Sequence, residues 1–97
     1  MAYVFEVLDK FGKKVHLSKE RWDHITSPGS PHAYMTNYLS EIKETLFKPD
    51  KIIDSQYDRK VNYYRYYKNR KQHLKVVVKY LNGVGFVITS YFVANIK

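Results

Sequence analysis

The dipeptide Asn82-Gly83 lies between two long strand-like segments in the C-terminal part of the chain. Residues 73–81 and 84–93 both alternate in their side-chain pattern, with many β-branched and aromatic residues. An Asn-Gly pair between two such segments is the strongest short-range signal for a β-hairpin. The C-terminal part of the chain therefore predicts two long antiparallel strands.

The apolar faces of these two strands conflict with a two-residue turn. Such a turn pairs Lys79 with Phe86, which puts Phe86 on the face that carries the lysines. Because register usually follows the hydrophobic pattern, we expect an odd-length loop or a glycine bulge at residues 82–85, which moves Phe86 and Ile88 into the core. The opposite, polar face would then carry Lys75, Lys79, Thr89 and Tyr91.

The remainder of the chain predicts helices between further strands. Ser18 is a good N-cap for a helix that ends at about Thr26, and Ser30-Pro31 begins a second helix that Pro49 stops. Strands are expected at residues 3–8, 14–17, 51–55 and 61–67. The fold class expected from this order is α+β, with two N-terminal helices after a short hairpin, packed on one face of a twisted antiparallel sheet. Ninety-seven residues make one domain.

Charge and aromatic content point to a class of partner. Seventeen Lys and Arg against nine Asp and Glu leave a net charge of +8, and ten residues are Tyr. A basic protein favours a polyanionic partner, and Tyr beside Lys or Arg suits single-stranded nucleic acid better than lipid. The alternative is a soluble basic domain in which the Tyr residues are simply strand formers.

Several function classes are not indicated by the sequence. The chain contains no Cys, which excludes disulfides and thiol chemistry and is consistent with a cytoplasmic location. The N-terminal residues do not resemble a signal peptide, and no apolar run is long enough to span a membrane. Neither metal-ligand spacing, nor a Gly-x-Ser-x-Gly motif, nor a phosphate-binding Gly-rich loop is present, so we expect no metal and no cofactor.

Metal-free RNA cleavage is the chemistry that the available side chains could support. It needs an acid/base and cations or donors for the phosphate, while the substrate's 2′-hydroxyl is the nucleophile. His24, with Glu20 four residues earlier on the predicted helix, is a candidate acid/base, although the spacing alone favours an ordinary surface pair. His32, near the start of the second helix, could lie beside a bound phosphate, although the sequence alone favours an ordinary solvated histidine at a helix start. Alternation in residues 63–67 places Tyr63, Arg65 and Tyr67 on one strand face, as a stacking and phosphate-binding surface or as tyrosines over the core with Arg65 at the rim.

Several short segments together resemble a known family. They are Arg21-Trp22-Asp23-His24-Ile25, Pro31-His32, residues 41–46, Pro49-Asp50-Lys51-Ile52, residues 74–79 and Val87-Ile88-Thr89-Ser90-Tyr91. In this order and spacing they are similar to the phage-type branch of the barnase–EndoU–colicin–RelE-like nuclease superfamily. The resemblance covers residues 17–93, and the chain lacks the Pro and Glu that follow the second His in that pattern.

The resemblance implies a small metal-independent ribonuclease that acts as a toxin or phage-defence effector, with an acidic antitoxin or immunity protein as partner. His24 would be the acid/base, Arg65 would stabilise the phosphorane, and Thr89 and Tyr91 would orient the phosphate or the leaving oxygen. The nucleic-acid-binding residues would be Lys75, Lys79, Tyr63 and His32. Two alternatives stay open: a noncatalytic RNA-binding module on the same sheet face, and a basic interaction protein that docks an acidic antitoxin-like partner.

Overall fold

The computed structural model describes residues 3–55 and 58–96. Along the chain the elements are β1 (Tyr3–Leu8), β2 (Lys14–Ser18), α1 (Lys19–Thr26), a 3₁₀ helix (Ala33–Asn37), α2 (Leu39–Phe47), β3 (Lys51–Asp54), β4 (Lys60–Tyr67), β5 (Gln72–Leu81) and β6 (Val84–Val93). All six strands form one sheet in the order β1-β2-β6-β5-β4-β3.

The expected fold class is wrong in two respects. The sheet is mixed rather than antiparallel, because β2 runs parallel to β6, pairing Val15 with Gly85 and His16 with Phe86. The two α-helices also do not form an N-terminal pair directly after the hairpin, since α2 begins only at Leu39, in the middle of the chain. The parallel pairing joins residues 70 positions apart, and no local pattern in the sequence reports such a contact.

The helix starts follow local capping chemistry only in part. Ser18 caps α1 as predicted, with its hydroxyl accepting from the backbone N–H of Arg21 at 3.0 Å. The Ser30 hydroxyl likewise accepts from the backbone N–H of His32 at 3.1 Å, but the segment that follows is 3₁₀ rather than α. Met35, in that segment, is fully buried, so tertiary packing rather than helix propensity determines its path.

The hydrophobic core lies between the helical segments and one side of the sheet, which we call the helix face. The two α-helices, the 3₁₀ helix and five strands contribute to it Phe5, Val15, Leu17, Ile25, Met35, Ile42, Leu46, Tyr63, Leu74, Val76, Val78, Val87 and Phe92. We call the other side the open face. By strand alternation its central residues are Asn62, Tyr64, Tyr66, His73, Lys75, Val77, Lys79, Phe86, Thr89 and Tyr91.

The β5–β6 hairpin resolves the register conflict at a different place from the one expected. Asn82 and Gly83 form a two-residue turn with positive φ at both positions, 54° and 81°, as a type I′ turn requires. The extra residue is Ile88, in a bulge where Val77 pairs with Thr89 but Val78 pairs with Val87. The predicted loop irregularity at residues 82–85 is therefore wrong.

The bulge changes which side chains reach the core. The expectation that Phe86 and Ile88 enter the core is wrong: Val87 joins it, Phe86 lies opposite Lys79 on the open face, and Ile88 is the bulge residue. The Asn82-Gly83 turn keeps its favoured type I′ geometry because the one-residue shift in register occurs within β6 and not in the turn. Beyond the bulge, Thr89 and Tyr91 lie on the same face as Lys75, which confirms the predicted polar face.

Gly85 is required by close packing at the β2–β6 junction. A Cβ at this position would lie 2.8 Å from Val78 Cγ1 and 2.9 Å from Tyr80 Cε1, closer than real Cβ contacts. We expect Gly85→Ala to lower the free energy of unfolding by about 1–3 kcal/mol, measured by urea denaturation. Gly29→Ala is the matched control, because a Cβ there has open space around it. Equal stability of the two variants would contradict this packing.

Candidate nucleic-acid interface

Lys75 lies at the centre of the open face between two tyrosine rings. In the sheet register it is the direct neighbour of Tyr64 on β4 and of Tyr91 on β6. Its Nζ is 5.9 Å from the centre of the Tyr64 ring and 5.5 Å from that of Tyr91. Cation–π attraction at these distances holds the ammonium group over the sheet. We call these three residues the Tyr64–Lys75–Tyr91 row.

An imidazole from outside the sheet extends this row. His32 stacks on Tyr91, with ring centres 4.5 Å apart and planes 10° from parallel. The loop that carries His32 is held at β6 by Tyr34, whose hydroxyl accepts from the backbone N–H of Phe92 at 3.0 Å. This anchor explains how a residue placed between α1 and the 3₁₀ helix reaches the open face.

Further rings lie at the two ends of the same face. His73 packs edge-on against Tyr66, with ring centres 5.2 Å apart. At the other end His16 stacks on Tyr3 at 4.4 Å and lies 5.7 Å from Phe86. The open face therefore presents aromatic and imidazole rings along its whole length.

The charges of the open face are mainly positive. Its strand residues include Lys75 and Lys79, and neither makes an ion pair with any other residue in the described ranges. Glu6, beside His16, is an acid on this face, and its carboxylate is 2.7 Å from His16 Nε2. Rings separated by uncompensated lysines form a surface that suits bases and phosphates together.

A cleft indents the open face beside the Tyr64–Lys75–Tyr91 row. Its volume is about 490 Å³, and its lining residues are Asn62, Tyr64, Lys75, Val93, Ala94 and Asn95. Residues 94 and 95 follow the end of β6, so the chain after the last strand forms one wall. Tyr64 is 3% exposed and lies at the base of this region of the sheet.

The predicted catalytic residues do not form one site. Arg65 is on the helix face, where its Nη1 donates to the carbonyl of Lys48 at 2.7 Å and its Nε lies 3.3 Å from Glu44 Oε1. Tyr91 is on the opposite face of the sheet. Arg65 and Tyr91 therefore cannot hold the same phosphate, and the expected pairing of these two residues is wrong.

His24 lies on α1, apart from both Arg65 and Tyr91. It is exposed on α1, where it lines a shallow depression with Ser18, Glu20 and Arg21. Ile25 is buried beneath this part of α1, as expected. No hydrogen bond joins His24 to Glu20 within the part of the chain that the structure describes. His24 therefore does not share a site with Arg65 or Tyr91, the residues predicted to act with it.

Tyr63 is a core residue rather than a binding residue. It is 1% exposed, and its hydroxyl lies 2.5 Å from the Tyr80 hydroxyl. Burial raises the pKa of Tyr63 to about 12, so the hydroxyl stays protonated. The five-residue run 63–67 carries aromatics on both strand faces. The predicted binding residue Tyr63 is on the helix face, whereas Tyr64 and Tyr66 are on the open face.

A buried carboxylate that was not predicted from the sequence lies near Tyr63. Asp9 is 2% exposed; its Oδ1 accepts from the backbone N–H groups of Phe11 and Lys13 at 2.8 and 2.9 Å. Its Oδ2 accepts from the hydroxyl of Tyr80 at 2.6 Å and more weakly from that of Tyr63 at 3.3 Å. Burial, followed by the hydrogen bond to Asp9, raises the pKa of Tyr80 far above its ordinary value. An Asp three residues before a turn Gly is the signal that could have revealed this cap.

Glu44 forms a polar group on the helix face with Tyr67. The Tyr67 hydroxyl donates to Glu44 Oε1 at 2.6 Å, and this bond, with Arg65 nearby, lowers the pKa of the Glu44 carboxyl. The side chains of Arg65 and Tyr67 therefore bind polar groups of α2 and of Lys48, the residue that follows it. This arrangement matches the alternative in which the tyrosines cover the core and Arg65 lies at the rim.

Comparisons with family models, with curated proteins and with solved structures found no match for this chain. The resemblance to a nuclease superfamily therefore stays a prediction. Within residues 3–55 and 58–96, no three His, Asp or Glu side chains are grouped so that they could bind a metal ion. None of the helices in those ranges is long and apolar enough to cross a membrane.

Proposed function

We propose that this protein binds single-stranded RNA through the open face of its sheet. The observation that carries the proposal is the Tyr64–Lys75–Tyr91 row, extended by the stacked ring of His32. Because Tyr64 is only 3% exposed, a base would stack at the Tyr91–His32 end of this row while the Lys75 ammonium binds the adjoining phosphate. The net charge of +8 supports the same class of partner.

Single strands fit this surface better than duplexes. Bases that are not paired can be splayed over a sheet and stacked on Tyr or His side chains, and most sequence-selective RNA recognition uses such strands. A duplex hides its base faces, so it would contact only the lysines. The rings of the open face would then contribute nothing to affinity.

Cleavage is not part of this proposal. It required His24, Arg65 and Tyr91 at one phosphate, and these side chains lie on α1, on the helix face and on the open face. Incubating the protein with RNA in EDTA tests the ribonuclease prediction separately, since metal-free cleavage would persist there. The acidic antitoxin-like partner and the cytoplasmic location, both predicted from the sequence, stay predictions.

We expect RNA affinity to fall steeply with salt. Neutralising about four phosphates gives a slope of log K against log salt near −3 for single strands. Filter-binding titrations at several salt concentrations measure this slope, with a single-stranded RNA 8-mer and with the matching duplex. We expect the single strand to bind more tightly than the duplex. A flat salt response, or tighter binding of the duplex, would contradict the proposal.

A matched pair of lysine variants locates the contact. Lys75→Met keeps the apolar stem and should make the slope shallower by about 0.7, the value of one phosphate contact. Lys19→Met removes a lysine that is paired with Asp23 on α1, away from the open face, and should leave the slope unchanged. If both variants changed the slope equally, Lys75 would not be a specific phosphate contact and the RNA would not be bound at the open face.

A further inference from the structure

We infer that Phe86 and Lys79 form a second RNA-binding subsite on the open face, where Phe86 stacks one base and Lys79 binds the adjoining phosphate. The inference rests on the proposed RNA binding and adds to it a second point of contact and the path of the bound strand. Its observation is the bulge at Ile88, which puts an aromatic ring beside a lysine on the open face for a second time.

The bulge exchanges the faces of two neighbouring residues. Without the extra residue, the pairing would set Lys79 beside Val87 and would turn Phe86 to the helix face. With it, Phe86 pairs with Lys79, and Val87 is in the core. The larger apolar side chain is therefore held on the open face and the smaller one is buried, the reverse of what burial of apolar area alone favours. Bulges often reorient a side chain next to a functional site, and we assign that role to this one.

The pair of Lys79 and Phe86 repeats the arrangement of Lys75 and Tyr91. In both pairs a lysine of β5 is the direct register neighbour of an aromatic residue of β6. Neither lysine makes an ion pair within residues 3–55 and 58–96. A base that stacks on such a ring can have its phosphate bound by the lysine beside it, so each pair suits one nucleotide.

The Phe86 ring is accessible to a base and is held in place from β2. His16 is its register neighbour there, with ring centres 5.7 Å apart and planes at 44°. His16 Nε2 is hydrogen-bonded to the Glu6 carboxylate at 2.7 Å, which fixes the imidazole. Unlike Tyr64, which is 3% exposed, Phe86 is only half-buried, so a base can reach it.

The two subsites together set the path of the strand. Lys75 and Lys79 are four residues apart on β5, which separates them by about 13 Å at about 3.3 Å per residue. Between them on the open face, Val77 pairs with Thr89, and both residues are uncharged. The phosphate contacts therefore follow β5 along its length rather than cross the sheet. One RNA strand that lies along β5 and β6 contacts both lysines.

The test measures binding of labelled rU8 by fluorescence anisotropy to matched variants of the second subsite. Phe86→Leu keeps an apolar side chain against His16 and deletes the ring, and we expect it to weaken binding by at least about 5-fold, the lower limit for one stacked base. Phe86→Tyr keeps the ring and should stay within about twofold of the parent. Phe47→Leu makes the same change at an exposed ring of α2 and should leave the affinity unchanged.

The lysines test whether one strand contacts both subsites. Lys79→Met should make the slope of log K against log salt shallower by about 0.7, the value of one phosphate contact. Combining it with Lys75→Met should make the slope shallower by about 1.4, because two phosphate contacts are then lost. A double variant that loses no more than Lys75→Met alone would show that the strand does not reach Lys79, which would overturn the inference.

The outcomes separate this inference from the proposed function. If Tyr91→Ala weakens binding and Phe86→Leu, shown to be folded by urea denaturation, does not, the second subsite is overturned and RNA binding at the first is kept. If Phe86→Tyr loses as much affinity as Phe86→Leu, the ring does not stack a base, and the inference also fails. If the parent does not bind rU8 with a salt-dependent affinity, the proposed function itself fails.

Discussion

Replacing Tyr91 by alanine is expected to weaken binding of a single-stranded RNA 8-mer by about 5-fold to 150-fold. Stacking of one base on an aromatic side chain contributes about 1–3 kcal/mol, and each 1.4 kcal/mol is a factor of ten in affinity. Alanine also removes the ring on which His32 stacks and over which Lys75 Nζ lies. Fluorescence anisotropy measures the loss, and urea denaturation confirms that the variant is folded.

Two further variants make this result specific. Tyr91→Phe keeps the ring and deletes only the hydroxyl, so its RNA affinity should stay within about twofold of the parent. Phe47→Ala removes an aromatic ring that is 57% exposed on α2, away from the open face, and should not change the affinity. If Phe47→Ala weakens binding as much as Tyr91→Ala, the RNA does not lie on the open face. If Tyr91→Phe loses as much as Tyr91→Ala, stacking is not the source of the affinity.

Replacing Asp9 by alanine is expected to lower the free energy of unfolding by about 3–5 kcal/mol. The change removes four hydrogen bonds to one buried carboxylate and leaves the Tyr80 and Tyr63 hydroxyls to bond only with each other. A hydrogen bond to a charged group contributes about 1.5–3 kcal/mol, and the contributions of bonds within one network are not additive. Because small domains have only about 5–15 kcal/mol in total, this is the largest stability loss that we predict.

The measurement is urea denaturation of matched carboxylate variants. Asp23→Ala removes a carboxylate that is 61% exposed and paired with Lys19, so it should change stability by no more than about 1 kcal/mol. Asp9→Asn retains an oxygen for the two turn N–H groups and should fall between the parent and Asp9→Ala. Similar stability for Asp9→Ala and Asp23→Ala would show that the Asp9 network does not stabilise the fold.

Local sequence signals were sufficient to predict the bounds of the elements that begin or end at a helix cap or a tight turn. The Ser18 cap places the start of α1, and Asn82-Gly83 places the β5–β6 turn within one residue. Strand bounds in the C-terminal half were also predicted closely, since alternating patterns of β-branched and aromatic residues extend from one turn to the next. These signals act over a few residues and need no partner from elsewhere in the chain.

The sequence predicted some residues of the candidate site and not others. Lys75 and Tyr91 were expected on one polar face, and they are there. Tyr64 was passed over because Tyr63 and Tyr64 occupy opposite faces of the same strand, and only packing against α2 shows which face is covered. His32 reaches Tyr91 through the anchor between Tyr34 and the β6 backbone, a contact across 58 residues.

Most of the strands and the first helix lie where local sequence patterns predict them, and the composition makes the protein basic, rich in Tyr and free of Cys. The parallel pairing of β2 with β6, the bulge at Ile88 and the face to which each aromatic ring belongs depend on contacts between distant parts of the chain. The physical reason is that caps and turns depend on neighbouring residues, whereas strand order and face depend on burying one side of the whole sheet under the helices. Arg65 and Tyr91 were therefore separated by the sheet, while His32 and Tyr91 were brought together.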